Sequence, residues 1–177
     1  MDQRSRHQPC TAVAAVSAQA ILLTGLAWPV RPPPHPRTLR WIGRVMSGAG
    51  LVIAGVAAAG LGPALTPSPL PSPQAQLRRD GMFERVRHPI YSGLLLLGAG
   101  RLLTAGRRRV APAVALTLLL AAKARWEERL MSTRFPDYPS YAATTPRFIP
   151  AMRRSRKWRG EAVVRRCAAT QLGHVQA

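Results

Sequence analysis

Acidic residues are scarce in this chain of 177 residues: 7 Asp+Glu face 26 Lys+Arg, for a formal net charge of +19. Each carboxylate position therefore matters, and they fall at Asp2, Asp80, Glu84, Glu127, Glu128, Asp137 and Glu161. Cysteine is nearly missing. Cys10 and Cys167 lie near opposite ends, which excludes both a disulfide framework and a cysteine metal cluster. Aromatic residues make up only 6%, too few to interleave the basic residues with stacking platforms, so nucleic-acid binding is not expected. There is no Gly-rich phosphate loop, no His-x-x-x-His or Cys-x-x-Cys pair and no Gly-x-Ser-x-Gly elbow. Nucleotide-loop, zinc and serine-hydrolase chemistries lose their usual sequence signals, and no metal ligands are assigned.

What the chain has is segregation. Hydrophobic residues reach 47%, yet mean hydropathy is −0.03, because apolar Ala/Leu/Val/Gly runs alternate with short basic ones. That pattern belongs to a small polytopic membrane protein. Thr11 to Trp28 is uncharged and long enough, at 1.5 Å per residue, to span about 27 Å of bilayer core. Ala18-Gln19-Ala20 has the look of a signal-peptide cleavage site, but the apolar run continues past it, which favours a retained first helix.

Prolines break the chain at 29–36 and again at 63–73. Between them lies a second uncharged run, Val45 to Leu61, rich in small residues (Gly48, Gly50, Gly55, Gly60) that allow close helix approach in lipid. Trp41 ahead of it suits a membrane interface. The third run, Ile90 to Ala105, is interrupted by Arg101 and ends in the basic turn Gly106-Arg-Arg-Arg. Val110 to Ala122 follows, expected to continue as helix through Arg134 and to form a hairpin with the third run.

The expected fold is all-α, with about four transmembrane helices, one membrane domain over residues 1–150 and a basic, disordered tail over 151–177. Placing the N-terminus, 63–88 and everything from Lys123 onward on one face gathers eighteen of the 26 Lys/Arg there. The positive-inside rule makes that face cytoplasmic in a bacterial inner or plasma membrane. Arg107, Arg108 and Arg109 fall on the opposite face.

Asp80 to Gly93 is the stretch around which these runs are organised. Here a proline-broken polar segment enters an apolar helix through Arg87-His88-Pro89, with Tyr91 and Gly93 just inside. Ionisable groups at the mouth of a membrane helix are costly and point to a functional site. Glu127-Glu128 lies on the same expected face at the far arm of the hairpin. Neighbouring helix residues point about 100° apart, so one glutamate is expected to face a given pocket. Lys123 and Glu127, four apart, share a face, and a plain lysine–glutamate pair is the simplest use for them.

Taken together, Gly81-x-Phe83-x-x-Val86-Arg87-His88-Pro89-x-Tyr91-x-Gly93, the hairpin, Glu127-Glu128, Phe135-Pro-x-Tyr-x-x-Tyr141 and Arg147-Phe-Ile-Pro150 resemble the isoprenylcysteine carboxyl methyltransferase family and its relatives, the phospholipid N-methyltransferases. The resemblance covers about residues 65–150.

It implies an integral-membrane enzyme with a cytosolic S-adenosylmethionine pocket. Leu77, Arg78 and Phe83 would help to enclose the cofactor, His88, Pro89, Ile90 and Tyr91 would contact it, and Glu127 would hold it. Lys123 or Arg147 would orient a lipophilic acceptor arriving from the bilayer. Carboxyl O-methylation is the expected reaction, with amine N-methylation of a phospholipid as the alternative and a non-enzymatic basic membrane protein in contact with membrane lipids as the third. Phe83 stands where the family often has tyrosine. Lys123 replaces an arginine and gives up the bidentate fork suited to a carboxylate.

Overall fold

The computed structural model describes residues 3–29, 36–62, 65 and 77–150. Most of both proline-rich stretches, the tail at 151–177 and Cys167 lie outside the described residues. Among the described residues the chain is all-helical. The elements are α1 (Gln3–Ala27), α2 (Arg37–Leu61), a short α3 (Met82–Arg85), α4 (Pro89–Ala105), a 3-10 turn (Gly106–Arg109), α5 (Val110–Arg134) and α6 (Tyr138–Thr144).

Local chemistry sets the boundaries. Pro89 opens α4, where its missing N–H leaves no hydrogen bond unmade and its fixed φ suits the first turn. Gly106 closes α4 at φ 67, a left-handed conformation costly for other residues, and returns its N–H to the Leu102 carbonyl. The basic turn then reverses the chain into α5, so the expected hairpin is present. α5 runs unbroken from Val110 to Arg134, as its sequence predicts.

The closest helix contact is between α2 and α4, which run antiparallel. A Cβ on Gly50 would come within 2.5 Å of the Gly93 carbonyl oxygen, and one on Gly93 within 2.5 Å of the Gly50 oxygen. One turn-pair further along, Gly43 and Gly100 repeat the arrangement at 2.6 and 2.5 Å. The seven-residue spacing on both helices keeps the glycines on one seam. Small residues were expected to do this, but only Gly50 of the four singled out in α2 does. Gly48, Gly55 and Gly60 face open space. Gly93, inside the organising stretch, is thus a packing residue.

α1 packs antiparallel against α5. Their shared core is Leu26, Leu116, Leu120 and Ala124 with Tyr91 of α4, surrounded by Leu22, Leu23, Ile90, Leu94, Leu95, Ala113 and Phe148. Arg101, which interrupts the third apolar run, reaches the unpaired carbonyls at the end of α1: its Nε donates to Leu26 at 2.8 Å and its Nη2 to Ala27 at 3.2 Å. Arg109 donates to the Trp28 carbonyl. These two arginines cap α1.

Among the described residues two helices are long and apolar enough to cross a membrane: α1 over Cys10–Ala27, and α2. Only 11% and 17% of those windows are buried, whereas the core helix of a soluble protein would be covered. The outward face of α2 carries Trp41, Val45, Val52 and Val56, all exposed, opposite the glycine seam. The expectation of an all-α fold is met, and of the four expected spans two helices pass by length and composition. α4 has 17 residues, and α5 turns charged from Lys123 onward.

Candidate functional site

The polar cluster forms where the start of α4, the last half of α5 and the segment after α6 converge. Two backbone hydrogen bonds fix the convergence. Arg87 N–H donates to the Pro146 carbonyl at 2.9 Å, and His88 N–H to that of Arg147 at 3.1 Å. The Ser92 hydroxyl adds a third tie, to the Phe148 carbonyl at 2.6 Å. The Tyr141 hydroxyl donates to the Phe83 carbonyl at 2.5 Å and holds α6 against α3. The Phe-Pro-Asp-Tyr and Arg-Phe-Ile-Pro blocks therefore act as a brace across the mouth of the hairpin.

His88 sits at the N-cap of α4 between the two glutamates. Its Nε2 is 3.1 Å from Glu128 Oε1, and its Nδ1 is 3.5 Å from Glu127 Oε2. Both neighbouring carboxylates thus reach one imidazole, although they diverge around α5. The imidazole presents its two nitrogens on different edges, so side chains about 100° apart can each meet one. This corrects the expectation that one glutamate alone would face in.

Glu128 is the most heavily bonded group. Besides His88 it accepts from Arg147 Nε at 2.8 Å and from Arg147 Nη2, a two-point clamp, and Arg87 lies 3.3 Å away. Burial pushes the Glu128 carboxyl up. The hydrogen bonds from His88 and Arg147 and the charge of Arg87 outweigh burial and hold it at about 2. Glu127 is set differently. Burial raises its carboxyl, against the opposing pulls of the Tyr91 hydroxyl, His88 and Lys123. Burial also pushes the Tyr138 hydroxyl beside this network up to about 12, with the charge of Glu128 adding to the rise. Arg87 Nε is buried without a hydrogen-bond partner among the described residues.

The aromatic side is ordered too. His88 and Tyr91 stack with ring centroids 5.3 Å apart and planes 4° from parallel, and Tyr91 donates its hydroxyl to Glu127. Phe148 tilts against His88 at 6.0 Å. Lys123, almost fully buried, donates to Gln19 Oε1 of α1 at 2.7 Å and stands 5.5 Å from the centre of the Tyr91 ring.

Of the residues predicted from sequence, the structure gathers His88, Tyr91, Lys123, Glu127 and Arg147. Pro89 is fully buried and Ile90 packs on the core beneath. Phe83 lies half-buried on α3. Leu77 and Arg78 belong to the irregular segment 77–79, one half-buried and one exposed. Glu128, Arg87 and Gln19 had no assigned role. Arg87 stands inside the Arg-His-Pro boundary and Glu128 beside Glu127, and that adjacency was the available signal. Arg147, expected to orient an acceptor, has two of its nitrogens committed to Glu128.

Two carboxylates meet three cations, Arg87, Lys123 and Arg147, in addition to His88. Such a balance does not suit a divalent cation, and no group of three or more His, Cys, Asp or Glu placed to hold a metal occurs among the described residues. The cluster sets a carboxylate and stacked ring faces beside a buried ammonium.

No family model matches the chain. It is similar to the cobalt-zinc-cadmium resistance protein CzcN of Cupriavidus metallidurans, 34% identical over 75 residues, or 41% of this chain and 35% of that protein. It is also similar to the nickel-cobalt-cadmium resistance protein NccN of Alcaligenes xylosoxydans xylosoxydans, 30% identical over 79 residues, or 44% of this chain and 37% of that one. The matched segment thus spans little more than a third of each relative. Both relatives are named for resistance to metals, and neither name describes a methyltransferase. The expectation of a carboxyl O-methylating or amine N-methylating enzyme is corrected on that finding.

Proposed function

We propose that this chain is an integral-membrane component of bacterial resistance to heavy-metal cations of the cobalt, zinc, cadmium and nickel class. The observation that carries the reading is the similarity to two proteins named for that resistance. The exposed apolar faces of α1 and α2 support a place in the bilayer. The helices alternate in direction, α1 against α5 and α2 against α4. All four would cross or enter the membrane, with the cluster and the N-terminus on the cytoplasmic face favoured by the charge count.

The chain contributes to tolerance without ligating the metal at the His88–Glu127–Glu128 cluster, whose cations would repel it. The cluster instead takes a small organic zwitterion. S-adenosylmethionine, the cofactor implied by the sequence resemblance, has the required chemistry: its ammonium suits Glu127, its carboxylate suits Lys123, and its sulfonium suits the faces of His88 and Tyr91.

Two measurements test this reading. Deleting the coding sequence from its host should lower the cobalt, zinc, cadmium or nickel concentration that permits growth, and the wild-type chain should restore it. Unchanged tolerance to all four would contradict the resistance role. In calorimetry on detergent-purified protein, S-adenosylmethionine should bind, and Glu127→Gln should weaken binding by about tenfold or more. Heat from zinc alone that depends on Glu127 would contradict the ligand assignment.

A further inference from the structure

The end of the hairpin remote from the cluster carries a second charged feature. Arg101 and Arg109 reach the end of α1, Arg107 and Arg108 precede Arg109 in the turn, and no acidic residue occurs anywhere between Glu84 and Glu127. Arg101 and Arg109 are spent in part on α1 carbonyls. Arg109 is nevertheless 5% exposed, and its buried Nε has no partner among the described residues. Burial and the neighbouring charge of Arg101 both disfavour the charged form of Arg109, and the segment 85–126 supplies no carboxylate as a counter-charge. Arg107 and Arg108 point outward beside it. A buried guanidinium with an unsatisfied N–H, next to two exposed arginines and no carboxylate, calls for an anion.

The surface beneath the turn indicates which anion. An open groove of ≈ 650 Å³ runs down α5, lined by Arg107, Val110, Ala111, Val114, Ala115 and Leu118. Its apolar walls follow helical spacing and lead away from Arg107 for about 12 Å, at 1.5 Å per residue. Val114 and Leu118 are exposed, and so is Trp28 at the end of α1, an amphipathic ring of the kind that gathers at headgroup level.

We infer that the Arg101–Arg107–Arg108–Arg109 turn binds the phosphate of an anionic phospholipid, one of whose acyl chains lies in the α5 groove. The site sits at the face opposite the zwitterion pocket, and it accounts for the three arginines that the positive-inside rule leaves on the wrong side. A lipid held there would neutralise the like charges packed against the end of α1 and fix α1 to the hairpin.

The test uses full-length protein in detergent, followed by native mass spectrometry with added phosphatidylglycerol or with phosphatidylcholine of identical acyl chains. Phosphatidylglycerol should be retained at least about tenfold more strongly than phosphatidylcholine. Arg107→Ala/Arg108→Ala, both exposed and therefore compatible with folding, should abolish the preference. Glycerol phosphate, which offers the headgroup without chains, should not compete, and Leu118→Glu should release the lipid. Equal retention of the two lipids, a preference that survives the double arginine variant, or full competition by glycerol phosphate would each overturn the inference.

Discussion

Glu128 shows how one buried carboxylate can hold several chain segments together. Arg147 of the C-terminal brace, His88 and Arg87 at the mouth of α4, and α5 itself all meet on its two oxygens. Removing one partner leaves charge without compensation, so Arg147→Ala should cost about 1–3 kcal/mol, read as a lower melting temperature in detergent. The pH dependence follows from the sign of the shift. Glu128 titrates at about 2 in the fold against 4.5 ordinarily. The stability that it contributes is fully present above pH 4.5 and is lost as pH falls toward 2. Wild type should therefore lose melting temperature steeply over that interval. Glu128→Gln should start lower at neutral pH and lose less on acidification.

Residue-level reading from sequence started from scarcity. With seven carboxylates in the chain, His88 and Glu127 could be paired across 39 residues by their shared position at helix mouths. It failed where geometry had to be known: the divergence of Glu127 and Glu128 around α5 is resolved by an imidazole with two usable edges, which no spacing rule reveals. Arg147 was visible as a motif residue, but its partner was not.

At the scale of elements, the organising interface is the glycine seam between α2 and α4. A Cβ on Gly93 would sit 2.5 Å from the backbone oxygen of Gly50, and a backbone atom cannot swing aside. Gly93→Ala should destabilise by about 1–3 kcal/mol. Gly48→Ala, with nothing within 4 Å, should be neutral or slightly stabilising, because alanine is the better helix former. Comparing the melting temperatures of the two variants checks the seam; equal effects would count against it. The apolar runs located the helices well, since length and proline breaks bound them. Which glycines face inward depends on the rotation of each helix. The relevant repeat, Gly43 and Gly50 against Gly93 and Gly100, crosses two separate runs and cannot be read within either.

For the whole molecule, the alternation of helix direction puts His88, Glu127, Lys123 and the start of α1 at one end, and Trp28, Arg101 and the 106–109 turn at the other. In the proposed topology these ends would lie on opposite faces of the bilayer. In a cysteine-free background, Arg108→Cys should react with a membrane-impermeant maleimide in intact cells, and Ser140→Cys should react only after the cells are opened. Labelling of both from outside would contradict the crossing. The charge count proposes the same division, and of the arginines that break it Arg109 caps the end of α1.

Rescue of the deletion strain with Glu127→Gln asks whether this cluster serves metal tolerance. The side chain keeps its size and loses its charge, and membrane abundance can be matched by immunoblot. Growth on cobalt, zinc, cadmium and nickel should then fall to the level of the deletion strain, while wild-type chain restores it. Full rescue by Glu127→Gln at equal abundance would contradict the account.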